Sequence, residues 1–252
     1  MKLIDLSVPY EDNAFAEAFL PIIKPVTHQE GARQLAKRFG LQPEDFPDSM
    51  SLGWEEVEGI LHVGTHMDAP YHFGPYVGDQ KARTIDQMPL EWFYGDGVVI
   101  DVRHVQPAAE ITVKDLEDGL KQIAYTLKPF DIVLIMTGWD KYLYEPRYLK
   151  EQPGMSRNAT LWLLDRGIKV IGIDTYGFDR PFEVMAEEVK KGNPHALFPA
   201  HFVGREREYC HAEKLGNLDK IPIPFGFTVS AFPQNVKGGS AGAIRPVAII
   251  QD

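Results

Sequence analysis

One cysteine in 252 residues leaves this chain no intrachain disulfide to fold around, and a lone Cys210 fits a reducing compartment. Its apolar runs are short, and none approaches the roughly 20 residues needed to span a bilayer. Met1 leads into the strand-like Leu3-Ile4-Asp5-Leu6-Ser7-Val8 rather than into a charged-then-apolar signal segment. Together these absences predict a cytoplasmic protein that does not associate with membranes. Basic residues are the minority, 26 Lys and Arg against 36 Asp and Glu, giving a net charge of −10. That charge opposes the phosphate attraction that dominates nucleic-acid affinity, and no Lys/Arg block offsets it, so no nucleic-acid partner is expected. Repeats of about 20–50 residues and low-complexity tracts are also missing, which excludes solenoids and disordered tails.

What is present is globular. Hydrophobic residues make up 44% and charged residues 25% of the chain, enough for a sizeable core, and the length suits a single domain over residues 1–252. Thr27-His28-Gln29-Glu30 has the capping-box pattern and opens a helix that Gly40 closes. Strands are expected at Gly97–Val102, Asp131–Met136 and Lys169–Ile173. Helices are expected from Thr112 to Ile123, from Ser156 to Gly167, and from Pro181 to Lys191. Phe225–Ala231 alternates with period two, as does part of Ala243–Ile250, predicting two closing strands. Tyr142–Gly154, rich in Tyr, Pro and charge, reads as a loop over a site. The pattern predicts an α/β fold with a mixed sheet or partly closed β-barrel core flanked by helices.

Three of the eight histidines fall within the eleven residues His62-Val-Gly-Thr-His-Met-Asp-Ala-Pro-Tyr-His72. Imidazole and carboxylate are the donors a borderline divalent ion such as zinc or manganese prefers. Gly64 and Thr65 make a poor helix interior, so the four-residue spacing of His62 and His66 does not read as one helical face. A strand running from Glu55 toward Thr65 would instead place His62, His66 and Asp68 on one face, with Pro70 stiffening the exit and His72 a turn further on.

This run resembles the signature of the cyclase family of metal-dependent hydrolases, which includes bacterial kynurenine formamidases and isatin hydrolases. Asp131–Trp139 and Gly167–Asp174 are similar to family blocks, as are His201 and, twelve residues on, Glu213 within Glu-Lys-Leu-Gly-Asn-Leu-Asp. The resemblance implies that His62, His66 and Asp68 hold a first ion. Asp68 would bridge to a second ion held by His201 and Glu213, and His72 would donate and accept protons. It implies a hydrolase acting on a carbon–nitrogen bond of a small amide, formamide or cyclic amide. One or two Zn or Mn ions would activate the attacking water, lowering its pKa from about 15.7 to about 7. Glu213 is then either a ligand of the second ion or a general base on the water of a one-ion site. By the same analogy the chain is a homodimer or higher homo-oligomer acting on a small-molecule substrate.

Other candidates carry less. Cys210 reads as a small buried hydrophobe and His211 as a bystander; His28, His104 and His195 read as structural or exposed. Asp174–Asp179 follows a strand end, where α/β proteins place ligand-touching loops. There Gly177 stands where the family often has serine, and Tyr176 adds an aromatic. The early loop carries Phe15 and Phe19 and no tryptophan before Trp54. Ala14–Asp48 and Phe178–Pro199 look longer than in compact formamidases, which leans toward the isatin-hydrolase-like members. Two other classes stand beside the hydrolase: a lyase or cyclase working through an enolate, and a non-catalytic metal-stabilised binding protein.

Overall fold

The side chains of Ile132–Met136, all buried, divide between two cores. Ile132, Leu134 and Met136 join one apolar cluster, while Val133 and Ile135 join another. Alternate side chains of a strand point to opposite faces, so a continuous apolar run marks a sheet covered on both sides. A computed structural model, which describes residues 1–12, 17 and 19–251, places this strand mid-sheet.

Nine strands make up that sheet. In chain order they are β1 (Lys2–Asp5), β2 (His66–Asp68), β3 (Tyr94–Asp101), β4 (Ile132–Met136), β5 (Val170–Ile173), β6 (Cys210–Glu213), β7 (Phe225–Ser230), β8 (Ala241–Ala243) and β9 (Val247–Ile250). Across the sheet the order is β1-β9-β7-β3-β4-β5-β6-β2-β8. The inner strands β3, β4, β5 and β6 run parallel to their neighbours in that block. The flanking strands pair antiparallel. The sheet curls into a half-barrel flanked by helices, the architecture expected from the sequence.

Helices Val113–Gln122 and Arg157–Leu164 connect the parallel strands and bury Leu116, Leu120, Ala159, Leu163 and Leu164 in the second cluster. Each such leucine contributes about 1.5–3 kcal/mol by leaving water. The side chains of Thr27, Thr112 and Ser156 accept from the backbone N–H of Glu30, Asp115 and Ala159, so all three expected caps form. Gly40, at φ +69°, ends the first helix, His28–Phe39. Phe182–Lys190 is helical, as read from the sequence.

The closing strand expected in part of Ala243–Ile250 is present as Val247–Ile250, starting just after Pro246, which cannot donate to a ladder. Two expectations are corrected. The strand read from Glu55 toward Thr65 stops at Glu58 and pairs antiparallel with Ile22–Val26 in a two-stranded sheet outside the main sheet, with Glu55–Glu58 exposed. Tyr142–Gly154 is not wholly loop, because Arg147–Lys150 forms a helical turn. Phe15 lies outside the described residues. No helix among the described residues is long and apolar enough to cross a membrane.

Candidate metal centre

Strand parity builds the centre. β6 lies antiparallel to β2 with His211 opposite Asp68, Ala212 opposite Met67 and Glu213 opposite His66. Met67 and Ala212 point into the first apolar cluster, so the other four side chains share the opposite face. His66, Asp68 and His211 are 0% exposed and Glu213 is 7% exposed.

His62 arrives differently. It sits in the turn before β2, where Gly64 takes φ +61°, a conformation that costs other residues about 1–2 kcal/mol. A buried ion pair ties this turn down. Lys214 Nζ donates to Glu17 Oε2 (2.7 Å) and to the His62 carbonyl (2.9 Å), while the Gly64 N–H donates to Glu17 Oε1 (2.7 Å). Pro70–Phe73, a single helical turn after β2, carries His72. The short helix His201–Arg205 brings His201, and Gly204 lets that helix close on Phe73: a Cβ there would fall 2.0 Å from the Phe73 ring.

Asp68 is the hub. Its Oδ1 lies 2.8 Å from His62 Nδ1 and 3.3 Å from His66 Nε2. Its Oδ2 lies 3.0 Å from His211 Nε2, 3.7 Å from His72 Nε2 and 3.9 Å from His201 Nε2. Glu213 Oε1 is 3.3 Å from His211 Nε2 and 3.5 Å from His201 Nε2, and Oε2 is 3.6 Å from His66 Nε2. All six residues expected at the site are therefore together, and His211, read as a bystander, sits among them. Its signal was available: a strand residue two before Glu213 must face the way Glu213 faces. Asp179, at the end of the loop read as ligand-touching, has a role the sequence did not indicate: its Oδ2 stands 2.5 Å from His201 Nδ1.

The donor set fits a divalent cation. Both Asp68 oxygens, His66 Nε2 and His211 Nε2 are buried without a hydrogen-bond partner, a costly state that one or two cations facing these atoms would relieve. His66 Nδ1 lies 2.9 Å from the Gly64 carbonyl, which can only accept, so the proton sits on Nδ1 and Nε2 presents its lone pair. Asp179 imposes the same tautomer on His201. One atom each from Asp68, His201, His211 and Glu213 lie within 4.8 Å of one another, and so do one each from His62, Asp68 and His72.

Charge is balanced locally. Burial alone would raise Glu213 and lower His211, but Asp68 and Glu213 together lift His211 to about 9, and His211 with His201 holds Glu213 near 2. Burial likewise works against ionisation of Asp68, yet the surrounding imidazoles keep its pKa well below the usual value. His62 is raised, because the Asp68 carboxylate outweighs its burial. His72 goes the other way, lowered to about 4 by burial and by its imidazole neighbours despite Asp68, so it is neutral near pH 7. Further along, burial raises Asp174 to about 7 against three hydrogen bonds from Thr137 and Gly138.

A cavity of about 790 Å³ adjoins the centre at His201 and Asp179, walled by Phe19, Leu149, Tyr176, Phe182 and Phe198. The expected loop over the site and the long Phe178–Pro199 segment both contribute to these walls. Trp139 is core, buried against Tyr142. Cys210 is buried in the first cluster, and His28, His104 and His195 lie outside the centre.

A family model described as "Putative cyclase" matches residues 4–180. The chain belongs to the cyclase family. Within it, the chain is 24% identical over 147 residues to a kynurenine formamidase of Bacillus cereus, covering 54% of this chain and 63% of that protein. The chain thus matches just under two thirds of the formamidase's length. It is 26% identical over 215 residues to an isatin hydrolase of Roseibium aggregatum, covering 81% of this chain and 77% of that one. Among solved structures, isatin hydrolase A from Labrenzia aggregata bound to benzyl benzoate superposes with TM-score 0.76 at 22% identity, covering 100% of this chain and 94% of that one. An isatin hydrolase bound to thioisatinate, a product analogue, superposes with TM-score 0.77 at 21% identity, covering 100% and 93%. These structural likenesses show that the cyclase-family fold extends beyond the matched segment.

Proposed function

We propose that this cyclase-family chain is a metal-dependent hydrolase that opens a carbon–nitrogen bond in a small amide, formamide or cyclic amide. The observation that carries the reading is the convergence of imidazoles on two buried carboxylates, both oxygens of one of them, Asp68, without a hydrogen-bond partner, beside an apolar cavity. His62, His66 and Asp68 would hold one zinc or manganese ion; Asp68, His201 and Glu213 would hold a second. When bound, such an ion polarises a carbonyl and lowers the pKa of a water to about 7.

The chain's own groups supply the rest. His72, whose Nε2 stands 3.7 Å from Asp68 Oδ2, would take a proton at that atom and return it to the departing nitrogen. Asp179 fixes the ring of His201. Phe19, Phe182 and Phe198 line the cavity beside the centre and suit an apolar ring on the substrate, as an isatin-like cyclic amide or an aryl formamide would carry. Aryl esters share the reacting carbonyl and belong in the same trial.

The test is turnover of isatin, an aryl formamide and an aryl ester in oxygen-18 water. One solvent oxygen in each product carboxylate is expected. Product free of label would overturn hydrolysis and favour the enolate lyase.

A further inference from the structure

His211 is the one imidazole of the cluster left without a role, and the structure gives it the features of a ligand. Its Nε2 is fully buried, lacks a hydrogen-bond partner, and stands 3.0 Å from Asp68 Oδ2 and 3.3 Å from Glu213 Oε1. Its tautomer is set from behind. Tyr209 Oη donates to the Ala200 carbonyl (3.0 Å), so it can only accept from His211 Nδ1, 3.3 Å away. Once the ring gives up its second proton, the lone pair is thereby left on Nε2. The ring is also held in plane: it stacks on Phe178 at 4.1 Å and 7° and on Phe73 at 5.0 Å and 30°.

We propose that His211 completes a four-ligand site for a borderline divalent cation with Asp68, His201 and Glu213. Four protein donors fill a tetrahedral shell, and closed shells of this kind hold structural ions, whereas catalytic ions keep an open position. The inner ion is therefore retained and exchanges slowly. The outer position around His62, whose side chain is 19% exposed, is the exchangeable one. This inference rests on the metal-centre reading above and adds a division of labour between the two positions.

The experiment uses Zn²⁺ alone. Stripped protein is reloaded, dialysed against a weak chelator, and its zinc counted. Wild type and His62→Ala are expected to keep one ion per chain. His211→Leu is expected to keep none, its affinity falling by more than the roughly 10–100-fold that outer hydrogen-bond partners cost. A His211→Leu protein that keeps the slow ion overturns the proposal. Because that variant can fail to fold, wild type labelled with ¹⁵N-histidine is titrated in parallel. The first equivalent of Zn²⁺ is expected to move the His211 Nε2 resonance. Zinc binding that leaves His211 unmoved overturns the role of His211 alone, and wild type that binds no zinc overturns the metal centre itself.

Discussion

At the scale of single residues, the centre depends on which nitrogen of each imidazole is free. Asp179 illustrates this: its carboxylate faces His201 Nδ1 and accepts from the backbone N–H of Ala200 and His201. It sets both the ring and the loop that carries it. Asp179→Ala is expected to weaken zinc binding about 10–100-fold in calorimetry while leaving the helical signal unchanged. Affinity equal to wild type would mean that His201 is oriented by packing alone, or is not a ligand. The sequence made His62, His66, Asp68, His72, His201 and Glu213 legible because spacing and motif single them out. Asp179 and the Tyr209 support of His211 were not legible, since each acts through contacts that no local pattern encodes.

At the scale of elements, the register between β2 and β6 brings residues some 145 positions apart face to face, as in the pairing of Glu213 with His66. Capped helices and the apolar inner strands could be read from the chain because their signals are local and periodic. The pairing of Ile22–Val26 with Trp54–Glu58 could not: its strand pattern ran on toward the histidine motif, and turns and bends over residues 59–65, with Gly64 at positive φ, separate the two. His62 consequently reaches the centre from a turn, where strand parity does not apply. The close approach of His201–Arg205 to Pro70–Phe73 is likewise a tertiary fact, permitted by Gly204. Gly204→Ala forces a methyl into the Phe73 ring, so a stability loss of about 1–3 kcal/mol is expected in denaturant unfolding, with weaker retention of zinc. An unchanged midpoint would show that the two helices can separate at no cost.

At the scale of the molecule, a chain of net charge −10 concentrates opposite charges in one dry pocket, and this makes ion binding depend on pH. In the ion-free protein, His211 is lifted to about 9 from the usual 6.5, and Glu213 is held near 2 against the usual 4.5. The raised histidine stabilises the fold fully below pH 6.5 and loses that contribution as pH climbs through about 9. The depressed glutamate stabilises it above pH 4.5 and loses that contribution as pH falls through about 2. An arriving cation competes with the His211 proton, so affinity should rise with pH up to about 9, by as much as about tenfold per unit. Calorimetry in buffers of different ionisation enthalpy measures the proton released. No release and no pH dependence would mean that His211 stays protonated beside the ion.

The measurement closest to the central claim is amide turnover by metal-stripped protein with Zn²⁺ or Mn²⁺ restored in turn, wild type beside His72→Ala. Stripping is expected to abolish turnover, and one of the two ions to restore it. His72→Ala should bind the same ion yet lose about 10²–10⁴-fold in rate. Turnover that survives complete removal of metal, or that His72→Ala leaves intact, would contradict that claim.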